Sequence, residues 1–401
     1  MSLLMTNVRP RRRTTCAPGS CFSDLSEFLT FMILLLRTFL TRVGAMEPRN
    51  ELGSAHPDGA VLRVTLVSGL RAADRRQVSR RLSGAPRRAP VEVDDGTEDS
   101  GEFALVLADR ILESARAGAT GRSIVELEEA ADVMEIGFVL ETEFESRRAE
   151  GTPVELHDLM TVVAVQDIER WLLSLAPSPL DDYVTAERLA SQIEFATVIV
   201  LSDADDIGPA SLRSALGVLE QLNPGATVVR SPSAMSSRRT GASGRWCARR
   251  LGERMGWMHA LADPATQPGP RYGVEAIVFR DPRPFHPGRL FDAVDKQLTP
   301  GRVGRIARSR GLVQLATRAD QIGSWRSAGD TVALDPTGMS TWARNAPAGQ
   351  ELVLFGEDLD RHRIISTLDR SLVTDAELLA GPMEWATYDD PFPAWPTEHH
   401  H

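Results

Sequence analysis

From Gly59 onward, apolar runs alternate with stretches whose apolar residues recur every three or four positions. "AVLRVTLVSGL" (60–70) is apolar almost throughout, which suits a parallel strand buried on both faces. "FALVLADRILESARAG" (103–118), "LMTVVAVQDIERWLLSL" (159–175) and "FATVIVLSDADDIGPASLRSALGVLEQLNPGATVV" (195–229) each read as a β-branched run followed by an amphipathic helix. Successive β-α units of this kind predict a doubly wound, mostly parallel sheet with ligands near the carboxyl ends of its strands. "SPSAMSSRRTGASG" (231–244) is polar and rich in Ser and Gly, the composition of a linker. Strand, turn and helix begin again at "YGVEAIVFRDPRPFHPGRLFDAV" (272–294) and close with "LVLFGEDLDRHRIISTLDRSLV" (352–373), a second, smaller α+β domain. The expected boundaries are an extension at 1–58, a first domain at 59–230, a linker region at 231–271, a second domain at 272–395 and a tail at 396–401.

The extension departs from this pattern. Arg9, Arg11, Arg12 and Arg13 precede "FLTFMILLLRTFLT" (28–41), an apolar stretch broken by Arg37 and too short for a membrane-spanning helix. Two readings stand: a signal peptide without a clean cleavage site, or a start placed upstream of the true one at Met46, which is the expectation adopted.

Length and charge narrow the function classes. The chain has 401 residues, enough for two separate cores. A net charge of −10 disfavours direct nucleic-acid binding, which draws on Lys and Arg to neutralise phosphates. Three scattered cysteines, Cys16, Cys21 and Cys247, make neither a disulfide framework nor a local zinc site. The default compartment is the reducing cytoplasm, with no membrane partner. The cations are arginines except for one lysine, Lys296.

Six segments carry a resemblance: "RPFHPGRL" (283–290), "SRGLVQLATR" (309–318), "GSWRSAG" (323–329), "ELVLFGEDLD" (351–360), "LDRSLVTDAEL" (368–378) and "DPFPAW" (390–395). In this order they resemble the C-terminal domain of the CobW-like family of P-loop GTPases and metal chaperones. The first domain resembles the family more faintly, most clearly where "QIEFATVIVLSDADDI" (192–207) parallels the family's "QIEFADVIVLNKTDLV". The fold implied is a P-loop-GTPase-like sheet followed by a CobW-type α+β domain.

The resemblance implies where the chemistry should lie, and each place is altered. The spacing G-x-x-x-x-G-K-[ST] cradles phosphates with backbone N–H groups, a lysine and a magnesium-binding hydroxyl. Here Gly69 keeps the first glycine, Asp74 replaces the second, Arg75 the lysine and Arg76 the hydroxyl. Arginine's broad fork does not replace a compact ammonium in a tight loop, and Lys296 lies in the other domain. Loss of hydrolysis is the expectation, with weak anion binding by Arg71, Arg75 and Arg76 at a helix N-terminus as an alternative. At the guanine-reading N-K-x-D position stand Ser202, Asp203, Ala204 and Asp205. Only Asp205 keeps a reading group, and the plainer expectation is that Ser202 and Asp203 begin a turn and cap the helix of "PASLRSALGVLEQL" (209–222). The family's C-x-C-C metal run aligns with Ala131, Val133 and Met134, of which only Met134 has a weak, soft donor. Nearby Glu126, Glu128, Glu129 and Asp132 are expected to solvate a helix face. His399, His400 and His401 could hold a metal, against the alternatives of a disordered terminus or a tag remnant. His286, between Pro284 and Pro287, is expected in a rigid strand-to-helix turn rather than as a catalytic base.

GTP and Mg²⁺ are thus cofactors by resemblance only, and Zn²⁺ lacks its cysteine motif. The expected role is a CobW-like protein of zinc homeostasis acting by protein contact. Its partner would be a protein client or a ribosome-associated factor, as in the actinobacterial branch that recruits a ribosome hibernation factor under zinc limitation. The competing expectation is an active GTP-dependent zinc or cobalt metallochaperone.

Overall fold

The computed structural model describes residues 2–3, 61–83, 100–175, 180–230, 255–262, 269–344 and 346–395. In chain order the strands are β1 (Ser2–Leu3), β2 (Leu62–Gly69), β3 (Gly121–Glu126), β4 (Val154–Val163), β5 (Val198–Leu201), β6 (Thr227–Val229), β7 (Val274–Asp281), β8 (Arg305–Val313), β9 (Gln321–Ala328), β10 (Thr331–Ser340) and β11 (Gln350–Glu357). The helices used below are α1 (Ala72–Ser83), α2 (Ser100–Arg116), α3 (Val133–Ala149), α4 (Val165–Trp171), α5 (Leu180–Phe195), α6 (Pro209–Leu222), α7 (Gly256–Ala262), α8 (Pro287–Asp292), α9 (Arg361–Ser371), α10 (Asp375–Ala380) and α11 (Pro382–Trp385). Among the described residues no helix is long and apolar enough to cross a membrane.

The chain divides into two compact units. One comprises 48–171 with 184–259; the other comprises 260–401 with 1–47 and 172–183. The first unit holds a five-stranded sheet ordered β3-β2-β4-β5-β6, parallel at every pairing. From β2 the chain moves out to the edge strand β3 and then returns to β4 on the other side of β2. The strand order therefore reverses between β2 and β4, the place where open α/β sheets offer a crevice at their carboxyl ends. Register sets Gly69, the last residue of β2, beside Val162 near the end of β4. Val67, Val78, Ile124, Met160, Val162, Val198 and Val200 form one buried cluster, so α1 covers the sheet through Val78.

One β-α unit expected from the sequence is a helix alone. Residues 100–116 are helical throughout as α2, with Phe103, Ala104, Leu107, Ala108, Ile111, Leu112 and Ala115 buried. Those positions recur at three and four residues, and Leu105 and Val106, which suggested a strand, face outward at 40% and 42% exposure. The 3.6-residue period outweighs a short apolar run.

The second unit's sheet is ordered β1-β10-β9-β8-β11-β7, antiparallel except where Ser2–Leu3 lies parallel to β10. Its core gathers Trp325, Phe285, Leu354, Ile364 and Leu368, and the Trp325 indole N–H donates to Ser309 Oγ at 2.7 Å. His286 sits in the turn after β7 and caps α8, where Nδ1 accepts from the Arg289 backbone N–H at 3.4 Å. Its ring stacks on Tyr388 at 4.7 Å. Burial, reinforced by the charge of Arg289, holds its pKa below the ordinary histidine value, which keeps Nδ1 free to accept. Of the expected linker, α7 and residues 269–271 are described; 231–254 and 263–268 lie outside the described residues.

Candidate nucleotide site

The corner between β2 and α1 is where a phosphate loop would stand. Only Leu70 and Arg71 separate the strand from the helix, because α1 begins at Ala72. The N–H groups of Asp74 and Arg75 both bond to the Arg71 carbonyl at 3.1 Å, closing the first turn. Residues that would form an open cradle are thus consumed in helix. Asp74 lies in that first turn, where a carboxylate favours the positive end of the helix dipole and offsets its attraction for an outside anion.

Gly69 is held by packing. Its φ of +146° is a conformation that side chains rarely adopt. A Cβ there would lie 2.3 Å from the Val162 carbonyl oxygen of the neighbouring strand. The glycine lets two parallel strands close on each other, a requirement that exists without any ligand.

Arg75, the counterpart of the lysine, turns inward. It is buried at 6% exposure, and its Nη1 donates to the Gly69 carbonyl at 2.5 Å. Burial lowers its pKa, while the carboxylates of Glu126 and Glu129 favour its charge. Arg76 points to solvent, with Nε 4.0 Å from Glu126 Oε1. Arg71 makes a two-pronged bond to Asp167 in the first turn of α4, with Nε to Oδ2 at 2.9 Å and Nη2 to Oδ1 at 2.8 Å. That hydrogen bonding raises the arginine's pKa. The three arginines considered for anion binding are therefore not arranged alike: Arg71 is engaged by a carboxylate, Arg75 by a carbonyl, and Arg76 stands apart beside Glu126.

The segment after β5 closes the same end of the sheet. Asp203 Oδ1 accepts from the Val165 N–H at 2.7 Å and Oδ2 from the Gln166 N–H at 3.3 Å. It caps α4 from a distance of 38 residues in the chain. This corrects the expected cap: α6 begins at Gly208 and Pro209 with no side-chain hydrogen bond at its N-terminus. The reason is positional, since β4 and β5 are neighbours and their carboxyl ends lie side by side. The Ser202 N–H bonds to the Val163 carbonyl at 3.0 Å, while its buried Oγ has no hydrogen-bond partner. Asp205 lies exposed in the following turn.

Gly69, Arg71, Asp74, Arg75, Asp167 and Asp203 all stand at the ends of β2, β4 and β5 or in the turns that follow. Arg71 is bonded to Asp167, Arg75 to the Gly69 carbonyl and Asp203 to the Val165 and Gln166 N–H groups, and these residues do not fit a Mg²⁺-nucleotide: no glycine-lined loop, no lysine and no hydroxyl at position 76 are present. The Arg71–Asp167 pair escaped sequence reasoning. Its only sequence signal is an acid shortly after a parallel strand, which many helix starts carry.

The stretch aligned with the metal-binding cysteines is a helix start. Val133 and Met134 are buried at 4% and 6%, and Asp132 Oδ1 accepts from the Met134 and Glu135 N–H groups at 2.9 and 3.0 Å. The expectation of an acidic helix face is corrected here. Glu126 ends β3, Glu128 and Glu129 lie in the connection, and Asp132 is the cap, so these acids share no helix face. Among the described residues no group of three or more His, Cys, Asp and Glu is arranged to hold a metal ion. His399, His400, His401 and the three cysteines lie outside the described residues.

Comparison with known proteins gives four findings. Residues 274–372 match the "Cobalamin synthesis protein cobW C-terminal domain" family. The chain is 26% identical over 269 residues to "Zinc-regulated GTPase metalloprotein activator 1" of Dictyostelium discoideum, covering 58% of this chain and 56% of that protein. It is 30% identical over 263 residues to a protein of Mycobacterium tuberculosis named as a zinc chaperone, covering 58% and 61%. The match thus spans about three fifths of the length of these relatives. The Zn(II)-bound YjiA GTPase from E. coli aligns over 78% of this chain and 99% of its own at 13% identity, with a TM-score of 0.31.

Proposed function

Residues 274–372 belong to the CobW C-terminal domain family, and from that premise we propose that the chain is a GTPase-like protein of zinc homeostasis that works by protein contact rather than by nucleotide hydrolysis. The observation that supports this most directly is Arg75: the residue at the lysine position is buried and bonded to the Gly69 carbonyl, inside the corner where phosphates would rest. The zinc-related names of the relatives support the metal side of the reading. The work is done in the cytoplasm on a protein client. In this proposal the client is a ribosome-associated factor engaged under zinc limitation, a reading that rests on the resemblance to the actinobacterial branch.

The test is calorimetric titration of GTP with Mg²⁺ into the full chain, with phosphate release followed in parallel. The expected outcome is neither heat nor phosphate. Micromolar binding with magnesium-dependent turnover would instead establish the GTP-dependent metallochaperone that the relatives' names suggest. Co-sedimentation with ribosomes from zinc-limited cells checks the client, and absence from the ribosomal fractions would remove that part of the proposal.

A further inference from the structure

The last two helices present apolar side chains to solvent from a rigid support. Thr374 and Glu377 form a reciprocal cap at the start of α10, with Glu377 N–H to Thr374 Oγ1 at 3.3 Å and Thr374 N–H to Glu377 Oε2 at 2.7 Å. Arg289 holds the Glu377 carboxylate with two bonds of 2.9 and 2.6 Å. The Trp385 indole N–H donates to the Glu377 carbonyl at 2.6 Å, and its ring packs with Ala316 and Val373. Gly381, at φ +81°, turns the chain between α10 and α11. On this fixed bend Leu379 is 88% exposed and Met383 is 90% exposed. Isolated exposed apolar residues are ordinary, but two large ones on one braced bend offer a docking surface its apolar anchors.

Charge indicates the occupant. Residues 372–395 contain Asp375, Glu377, Glu384, Asp389 and Asp390 and no Lys or Arg. Arg289 engages Glu377 and Arg318 engages Asp390, which leaves Asp375, Glu384 and Asp389 on the exposed surface. We propose that this bend is a docking site for a basic amphipathic segment of a partner protein, with apolar side chains seated on Leu379 and Met383 and flanking cations facing the carboxylates. A second copy of the chain would bring the same carboxylates together, and an anionic lipid surface carries the same sign. The surface is independent of the nucleotide corner, so an active GTPase would carry it equally.

Two synthetic helical peptides of about 16 residues, with one leucine face and either lysine or glutamate flanks, serve as probes against the full chain. The lysine peptide should bind and slow backbone hydrogen exchange at 375–385, while the glutamate peptide should not. Binding should fall by about tenfold in the double variant Leu379→Ser, Met383→Ser, and less steeply in Asp375→Asn, Glu384→Gln. Both replaced apolar side chains are almost wholly exposed, so the fold should be retained. Equal binding to wild type and the serine variant would reduce the effect to general attraction by an acidic protein and overturn the proposal. Concentration-dependent dimerisation abolished by the serine variant, or binding to phosphatidylserine vesicles in place of the peptide, would overturn it as well. None of these readouts involves GTP, so failure here is distinguishable from failure of the function proposed above.

Discussion

At the residue scale, Gly69 and Arg75 carry the argument because each is fixed by contacts that need no nucleotide. Gly69→Ala would force a Cβ against the Val162 carbonyl at a disfavoured φ and should cost roughly 3 kcal/mol, read as a lower urea midpoint. Arg75→Met removes the buried donor to the Gly69 carbonyl and should cost about 1.5–3 kcal/mol in the same measurement. A mere loop arginine would leave the midpoint unchanged. Glu377 offers a test by pH. Its hydrogen bonds to Arg289 hold its pKa down to about 2, against an ordinary value of 4.5. A depressed acid contributes stability above its unfolded pKa and loses it as pH falls toward the folded one. Glu377→Gln should therefore flatten the fall in stability between about pH 4.5 and pH 2, with a cost at neutral pH of up to about 1 kcal/mol. Thermal unfolding of both proteins across that window checks it.

At the scale of elements, the end of the parallel sheet is cross-braced. Arg71 at the head of α1 meets Asp167 in α4, and Asp203 after β5 caps α4 in turn. A double-mutant cycle of Arg71→Met and Asp167→Asn should give a coupling of about 0.5–1 kcal/mol, reduced by the arginine's partial exposure. Zero coupling would mean that the brace adds nothing to stability. The strand-helix pattern of this region is legible from residues 60–70 and 159–175, because buried parallel strands show as unbroken apolar runs. Residues 103–107 mislead for a related reason: a short apolar run is common to strands and to the buried stripe of a helix, and only the longer period tells them apart. The braces themselves are not legible. Asp203 lies five residues before Gly208, the start signal of α6, yet its partner is fixed by the adjacency of β4 and β5, which the local sequence does not record.

At the scale of the whole molecule, ligand linkage supplies a simple check. A nucleotide held at a hundredfold excess over its dissociation constant would stabilise the folded chain by about 2.7 kcal/mol, enough to raise the unfolding temperature measurably. Millimolar GTP with Mg²⁺ should leave that temperature unchanged. The chain's net charge of −10 predicts no retardation of duplex DNA or RNA in a mobility-shift assay near physiological salt.

What the sequence determined by itself is set by composition and period. The α/β alternation, the second domain and the residue types at positions 69, 74, 75 and 76 can all be read from the sequence, and the family match at 274–372 rests on residues strung along one domain. What only the tertiary structure decided is where those side chains point. Arg75 faces the Gly69 carbonyl, Arg71 faces Asp167, and Leu379 and Met383 face solvent while Trp385, two residues beyond Met383, is buried. An arginine's charge is written in the sequence. Its partner is chosen by strands and helices distant in the chain and adjacent in space, which is why the same cation can be a phosphate ligand in one fold and a brace in this one.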